Sequence, residues 1–241
     1  MKKQQRTHRY FGNELQLFDK ADNWKSYFKN FISKYLKGQV LEVGAGIGGS
    51  TKILCDGKQH EWLCLEPDEK LSLVIDQLIA RHQLPGCCIS ETGYLKDVDK
   101  EKKFDAILYI DVIEHIKNDY EEIRNASERL NRNGVIIILV PAHNFLYSPY
   151  DKAIGHYRRY SRKMANSLIP QGFEVKRTVS LDIAGLFVLL VNKFFLRQKE
   201  PTLQQILFWD KFLVPISKIL DRLFFFHIGK SLLLVIEKSD R

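Results

Sequence analysis

The chain has 241 residues, 45% of them hydrophobic and 27% charged, an ordinary globular composition that excludes disordered, collagen-like and coiled-coil proteins. Its formal charge of +8 is unevenly spread: residues 1–38 hold nine Lys/Arg against three Asp/Glu, residues 39–151 twelve against nineteen, and residues 152–241 sixteen against seven. Basic ends around an acidic centre do not favour a nucleic-acid partner, which would show a contiguous basic stripe.

Over residues 13–35 apolar side chains recur at helical spacing (Phe18, Trp24, Tyr27, Phe28, Phe31, Ile32, Tyr35), predicting a helical cap over residues 1–38 whose aromatics, Tyr10 and Phe11 included, are core residues. Gly38 ends the cap, and QVLEV at 39–43 reads as a buried strand followed by a loop over 44–49. A helix over 50–55, a strand over 61–65 and a helix over 68–82 follow, the last with Leu71, Val74, Ile75, Leu78 and Ile79 on one face. A weak strand at 87–90 precedes a strong one, FDAILYI at 104–110. A helix capped by Asn118 or Asp119 and ended by Gly134 leads into GVIIILV at 134–140, stopped by Pro141. This alternation predicts an α/β fold, a doubly wound and mostly parallel sheet with helices on both faces.

An aromatic and basic stretch, 143–162, comes next, then a helix, a strand over 172–181 and a closing strand over 231–238. The chain reads as one domain, with its core in 39–182 and 230–241 and a helical insertion over 183–229. In that insertion Gln204, Lys211 and Lys218, with Asp210, Ser217 and Asp221, recur so as to leave one broad apolar face. Such a face is expected to be buried, on the core or active site, on a second copy in a homodimer, or on a membrane surface. A span is excluded, since the uninterrupted apolar run covers only residues 183–191 where crossing needs about 20 residues.

Four cysteines (Cys55, Cys64, Cys87, Cys88) without C-x-x-C spacing, and a polar start without a signal-like apolar stretch, predict a reduced, cytoplasmic protein. Metal ligands at local pair spacing are missing too, so metal independence is expected.

The chemistry concentrates at strand ends. Glu42 and the glycines Gly44, Gly46, Gly48 and Gly49 stand between a strand and a helix, where a glycine loop lets backbone approach a nucleotide. Gly44, Gly46 and Gly49 also satisfy the dinucleotide pattern G-x-G-x-x-G. An acidic Glu42 would repel a pyrophosphate and suits an amino-bearing ligand. Glu66, at the end of the next strand, can accept hydrogen bonds from ribose hydroxyls of either cofactor.

The runs V-L-E-V-G-A-G-I-G at 40–48, L-E-P-D at 65–68, F-D-A-I-L-Y-I-D-V-I-E-H-I at 104–116 and G-V-I-I-I-L-V-P at 134–141 resemble the class I S-adenosylmethionine-dependent methyltransferases, in order and spacing, across about residues 15–180. L-Y-S-P-Y-D-K-A-I-G-H-Y-R-R-Y at 146–160 and G-K-S-L-L-L-V at 229–235 further resemble a bacterial subgroup of small-molecule and surface-polysaccharide pathways. The resemblance implies a seven-stranded Rossmann-like fold and S-adenosyl-L-methionine as cofactor. It implies that Gly44, Ala45 and Gly46 pass under the methionine and ribose, that Glu42 lies near the amino group, and that Glu66 holds the ribose. It also places Asp111 and Val112 beside the methionine end and the sulfonium, and Pro67, Thr92 and Gly93 by the adenine. The usual Asp after a Gly is replaced in Glu91-Thr92-Gly93.

Methyl transfer to a hydroxyl or a protonated amine needs a base, for which His115, His143 and His156 are the candidates. Tyr147, Tyr157, Arg158 and Arg159 are candidates for the acceptor, since a guanidinium pair among aromatics binds carboxylate or phosphate and stacks on rings. The expected reaction is methyl transfer to an oxygen or nitrogen of a small-molecule acceptor. Alternatives are a lipid-linked glycan at a membrane, an NAD-dependent oxidoreductase, or a silent nucleoside-binding module using the same fold.

Overall fold

The computed structural model describes residues 14–196, 198 and 200–239; Tyr10 and Phe11 of the predicted cap lie outside them. In chain order the elements are α1 (Glu14–Phe18), α2 (Asp22–Ile32), β1 (Gln39–Val43), α3 (Thr51–Leu54), β2 (Glu61–Glu66), α4 (Glu69–Ala80), β3 (Cys88–Thr92), β4 (Phe104–Ile110), α5 (Asp119–Ser127) and β5 (Leu130–Pro141). There follow α6 (Pro149–Ala153), α7 (Arg162–Asn166), β6 (Phe173–Leu181), α8 (Ile183–Val191), α9 (Leu203–Phe208), α10 (Val214–Leu223) and β7 (Ser231–Lys238).

The strands form one seven-stranded sheet in the order β3-β2-β1-β4-β5-β7-β6, as the sequence predicts for a doubly wound α/β fold. Pairing is parallel from β3 to β5, while β7 runs antiparallel to both β5 and β6. Side chains alternate between two apolar layers. Val40, Trp62, Cys64, Leu108 and Ile137 pack with α2, α3, α4, α9 and α10, and Leu41, Leu63, Ile107, Tyr109 and Ile138 pack with α5 and α7. The order reverses between β1 and β4, so their carboxyl ends open a crevice of the kind in which open α/β sheets bind ligands.

Within the cap the Asp210 carboxylate accepts the N–H groups of Asn23 (3.1 Å) and Trp24 (2.8 Å) and so caps α2 from the far end of the chain. Two expectations are corrected. Gly134 does not end α5, which stops at Ser127; it lies in β5 at an irregularity where register jumps from Phe104↔Leu130 to Ala106↔Val135. The insertion also buries one of its two polar sets and leaves part of its apolar face exposed.

Asp210, Ser217 and Asp221, read as part of the outer polar face, are buried at 5%, 0% and 0% exposure, whereas Ile219 and Leu223 are 64% and 65% exposed. The buried polar groups are satisfied. Asp221 accepts Tyr27 Oη–H (2.9 Å) and the N–H groups of Asp182 (2.7 Å) and Ile183 (3.0 Å). Asp182 accepts Ser217 Oγ–H (2.6 Å) and Trp209 Nε1–H (2.8 Å). Hydrogen bonding of this completeness makes a polar stripe tolerable inside. Among the described residues no helix is long and apolar enough to cross a membrane.

Candidate active site

A cavity of about 1680 Å³ opens at the carboxyl ends of β1, β2 and β4. Its first wall is the loop after β1. Gly44 has φ +69°, and a Cβ there would lie 2.6 Å from Val112 Cγ2, so only glycine lets this loop pack under β4. Gly44 and Ala45 donate their N–H groups to the Leu65 carbonyl (2.8 and 3.1 Å), fastening the loop to β2.

Glu66 faces that loop. Its carboxylate accepts Gly46 N–H at 2.8 Å and Asp68 N–H at 3.0 Å, and burial pushes its pKa up to about 7 against those two hydrogen bonds. Two of roughly four acceptor positions are thereby used, leaving the others for a ligand. Glu42 is buried at 2% exposure, and one oxygen accepts Thr51 Oγ1–H (2.7 Å) and Trp62 Nε1–H (2.9 Å). Burial raises it to about 7 as well.

Asp111, immediately after β4, holds φ +54°, a strained conformation for a non-glycine residue. It stands open to the cavity with protein closing around it, and desolvation pushes its carboxyl up to about 6 against the pull of His156, Lys230 and Arg159. Pro67 and Gly93 line the same end. Thr92 does not: its hydroxyl donates to Ser72 Oγ on α4 at 2.8 Å, and Gly93, Tyr94 and Leu95 take the wall instead.

The opposite wall comes from the segment between β5 and α7. His156 Nδ1 is 3.1 Å from Asp151 Oδ1, which also accepts Arg159 Nε–H at 2.8 Å. Burial pushes Asp151 up, but His156, the charge of Arg159 and Ser148 outweigh it and hold the carboxyl at about 2. The His115 ring meets the His156 ring edge-on with centroids 4.5 Å apart. Tyr147 donates its hydroxyl to the His156 carbonyl (2.7 Å), and Tyr147, Tyr157 and Arg159 line the cavity.

Two candidates fall elsewhere. His143 Nε2 bonds the Gly229 carbonyl at 2.9 Å, linking the ends of β5 and β7. Arg158 pairs with Asp119 and donates to the Lys117 carbonyl at 2.8 Å. Neither belongs to the cavity wall.

The structure adds wall residues that sequence reasoning passed over: Glu114, Lys230, and Val188, Leu189 and Leu196 of the insertion. Glu114 was visible in D-V-I-E-H as an acid beside a candidate base, whereas Lys230 carried no local signal. The structure also gathers metal-ligating types from separate stretches of the chain: Glu114 and His115 with His156 in the cavity, and Cys55 with Cys87 and Cys88 elsewhere. The Cys87 thiol is pushed up to about 11, by burial first and then by its Cys55 neighbour, which keeps it un-ionised.

Residues 9–176 match a family described as a methyltransferase domain. No curated protein matches the chain. Solved structures share the fold at low identity. Coclaurine N-methyltransferase bound to N-methylheliamine and S-adenosylhomocysteine is 16% identical at TM-score 0.61, over 95% of this chain and 76% of that one. An S-adenosylmethionine-dependent methyltransferase from Clostridium acetobutylicum is 10% identical at TM-score 0.59, over 94% and 98%. The [4+2]-cyclase SpnF is 13% identical at TM-score 0.61, over 89% and 80%. A cyclase among them illustrates that fold alone does not assign a reaction. The family match covers well over half of the chain and continues the motifs of β1 to β5, and by it the chain belongs to the class I S-adenosylmethionine-dependent methyltransferases.

Proposed function

We propose that this methyltransferase transfers the methyl group of S-adenosyl-L-methionine to an oxygen or nitrogen of a small-molecule acceptor. The observation that carries the reading is the single cavity with two differently equipped ends, Glu66 and the glycine loop at one and Asp151–His156 at the other. Its volume exceeds the 300–1,000 Å³ or so typical of a single-ligand pocket, leaving room for donor and acceptor together. Glu66 would accept the ribose hydroxyls, and Asp111 would place negative charge toward the sulfonium. Asp151 orients His156 so that Nε2 faces the cavity to take the acceptor's proton. Methyl transfer is an in-line substitution, so holding two reactants in contact away from water supplies most of the acceleration. Calorimetric titration of S-adenosylhomocysteine into the full chain is expected to show one saturable site that Glu66→Gln weakens; a folded wild type that binds none contradicts the reading.

A second reading of the acceptor, a lipid-linked glycan at a membrane surface, is favoured by the outward apolar stripe. Phe212, between α9 and α10, and Ile216, Ile219 and Leu223 of α10 are all exposed, while Val188, Leu189 and Leu196 of the same insertion wall the cavity. Lys211, Lys218 and Arg222 lie beside or among them in sequence, and basic residues beside an apolar face suit anionic lipid. Co-sedimentation is expected with vesicles of phosphatidylglycerol and phosphatidylcholine, and to be lost in Phe212→Glu/Ile219→Glu. A wild type that stays in the supernatant at low and moderate salt removes this reading.

A further inference from the structure

Both carboxylate oxygens of Glu114 are buried in the cavity wall without a hydrogen-bond partner among the described residues, and the residue is 0% exposed. A carboxyl group so placed has lost its hydration without a hydrogen bond in return, which singles it out as a group awaiting a ligand. His115 and His156 stand beside it. One ligand atom from each of the three residues lies within 4.8 Å of the others. His156 Nε2 is 3.9 Å from Glu114 Oε1, and the other ring nitrogen of His156 is held by Asp151 at 3.1 Å. A carboxylate behind a histidine is the arrangement that fixes the tautomer and orientation of a metal-bound imidazole.

We propose that Glu114, His115 and His156 form a divalent transition-metal site in the wall of the methyl-transfer cavity. Two imidazoles with one carboxylate suit Zn²⁺, Fe²⁺, Mn²⁺ or Co²⁺ and not the all-oxygen preference of Mg²⁺ or Ca²⁺. Ligands on one ion at about 2.1 Å stand roughly 3.4 Å apart, so the set closes by rotating side chains. Asp111 and Asp151 add negative charge next to Glu114, and Arg159 opposes it. Three protein ligands leave an open position toward the cavity, which would take an acceptor hydroxyl and favour its oxyanion.

The ion's role, though not its binding, rests on the methyltransferase reading. With Nε2 of His156 on the ion, the ion takes over the activation otherwise assigned to that nitrogen: the hydroxyl proton leaves to water, the oxygen lone pair forms the O–C bond, and the C–S bond breaks with its electrons on sulfur, leaving a neutral thioether. Such a site favours hydroxyl acceptors over amines.

The test titrates Co²⁺ into the metal-stripped full chain, with S-adenosylhomocysteine calorimetry and thermal melts on the same samples. One equivalent is expected, with visible d–d bands and no thiolate-to-metal charge transfer. Affinity is expected to fall by more than 100-fold in Glu114→Gln and in His156→Asn, and by about 10- to 100-fold in Asp151→Asn, which acts on the metal through His156 and is not itself a ligand. Cys87→Ser should bind cobalt as the wild type does. His115→Asn, at the half-buried edge of the cluster, serves as the ligand variant should Glu114→Gln fail to fold. The proposal is overturned by a wild type that binds S-adenosylhomocysteine but no cobalt, by affinity unchanged in folded ligand variants, or by a thiolate signature assigning the metal to Cys55, Cys87 and Cys88. Loss of S-adenosylhomocysteine binding with cobalt binding intact overturns the methyltransferase reading and leaves the metal site standing.

Discussion

Glu66 holds two backbone N–H groups, from Gly46 and Asp68, on separate oxygens. A glutamine there turns an NH₂ against one of them and removes the charge that would meet the ribose. Charge-assisted hydrogen bonds contribute about 1.5–3 kcal/mol, so Glu66→Gln is expected to weaken S-adenosylhomocysteine roughly 10- to 100-fold. The pH dependence follows from the same group. Free Glu66 titrates at about 7, raised by burial, and hydroxyl donors stabilise its ionised form, lowering that value in the complex. Affinity should therefore rise with pH up to about 7 and level off above it, with proton release on binding below 7. Calorimetry in buffers of different ionisation heat checks this; affinity flat across that range contradicts it. Glu42, Gly44, Gly46 and Glu66 are legible in sequence because each closes or follows an apolar strand run, and Asp111 only through the family resemblance. Asp151 behind His156 is not, because only folding shows which acid meets which imidazole.

At the scale of elements, the insertion shows where periodicity stops informing. Its helical period is readable, yet the period alone cannot say which stripe faces in. Asp210 and Asp221 are inside because backbone N–H groups of α2 and of the α8 start await them, and those partners are far away in the chain. Asp221→Ala strands the Tyr27 hydroxyl and the N–H groups of Asp182 and Ile183. At about 1–3 kcal/mol for each buried group left unpaired, the expected loss is about 3 kcal/mol or more in urea unfolding; a loss below about 1 kcal/mol would mean that these contacts are replaced by water. The cap of α2 has the same origin. Asp22 and Asn23 are ordinary helix starters, and the capping carboxylate comes from Asp210.

Across the whole molecule, the alternation of strand and helix up to Pro141 is enough to predict a doubly wound sheet, since short, mostly apolar strands between amphipathic helices leave few other solutions. What alternation does not convey is that the insertion returns across the cap face, joins α2 through buried carboxylates and walls the cavity with its inner side. The result is one deep site closed by parts from both ends of the chain, with its apolar outer surface uncovered. Transfer of a labelled methyl group is the most direct test of the methyltransferase activity. The full chain is incubated with methyl-labelled S-adenosylmethionine and a panel of hydroxyl and amine acceptors, soluble and lipid-linked. Label is expected in an acceptor, with turnover falling by about 100-fold or more when His156→Asn removes the imidazole that activates the acceptor, as base or through the ion. Binding of the donor with no transfer to any acceptor, or transfer undiminished in His156→Asn, would contradict this assignment.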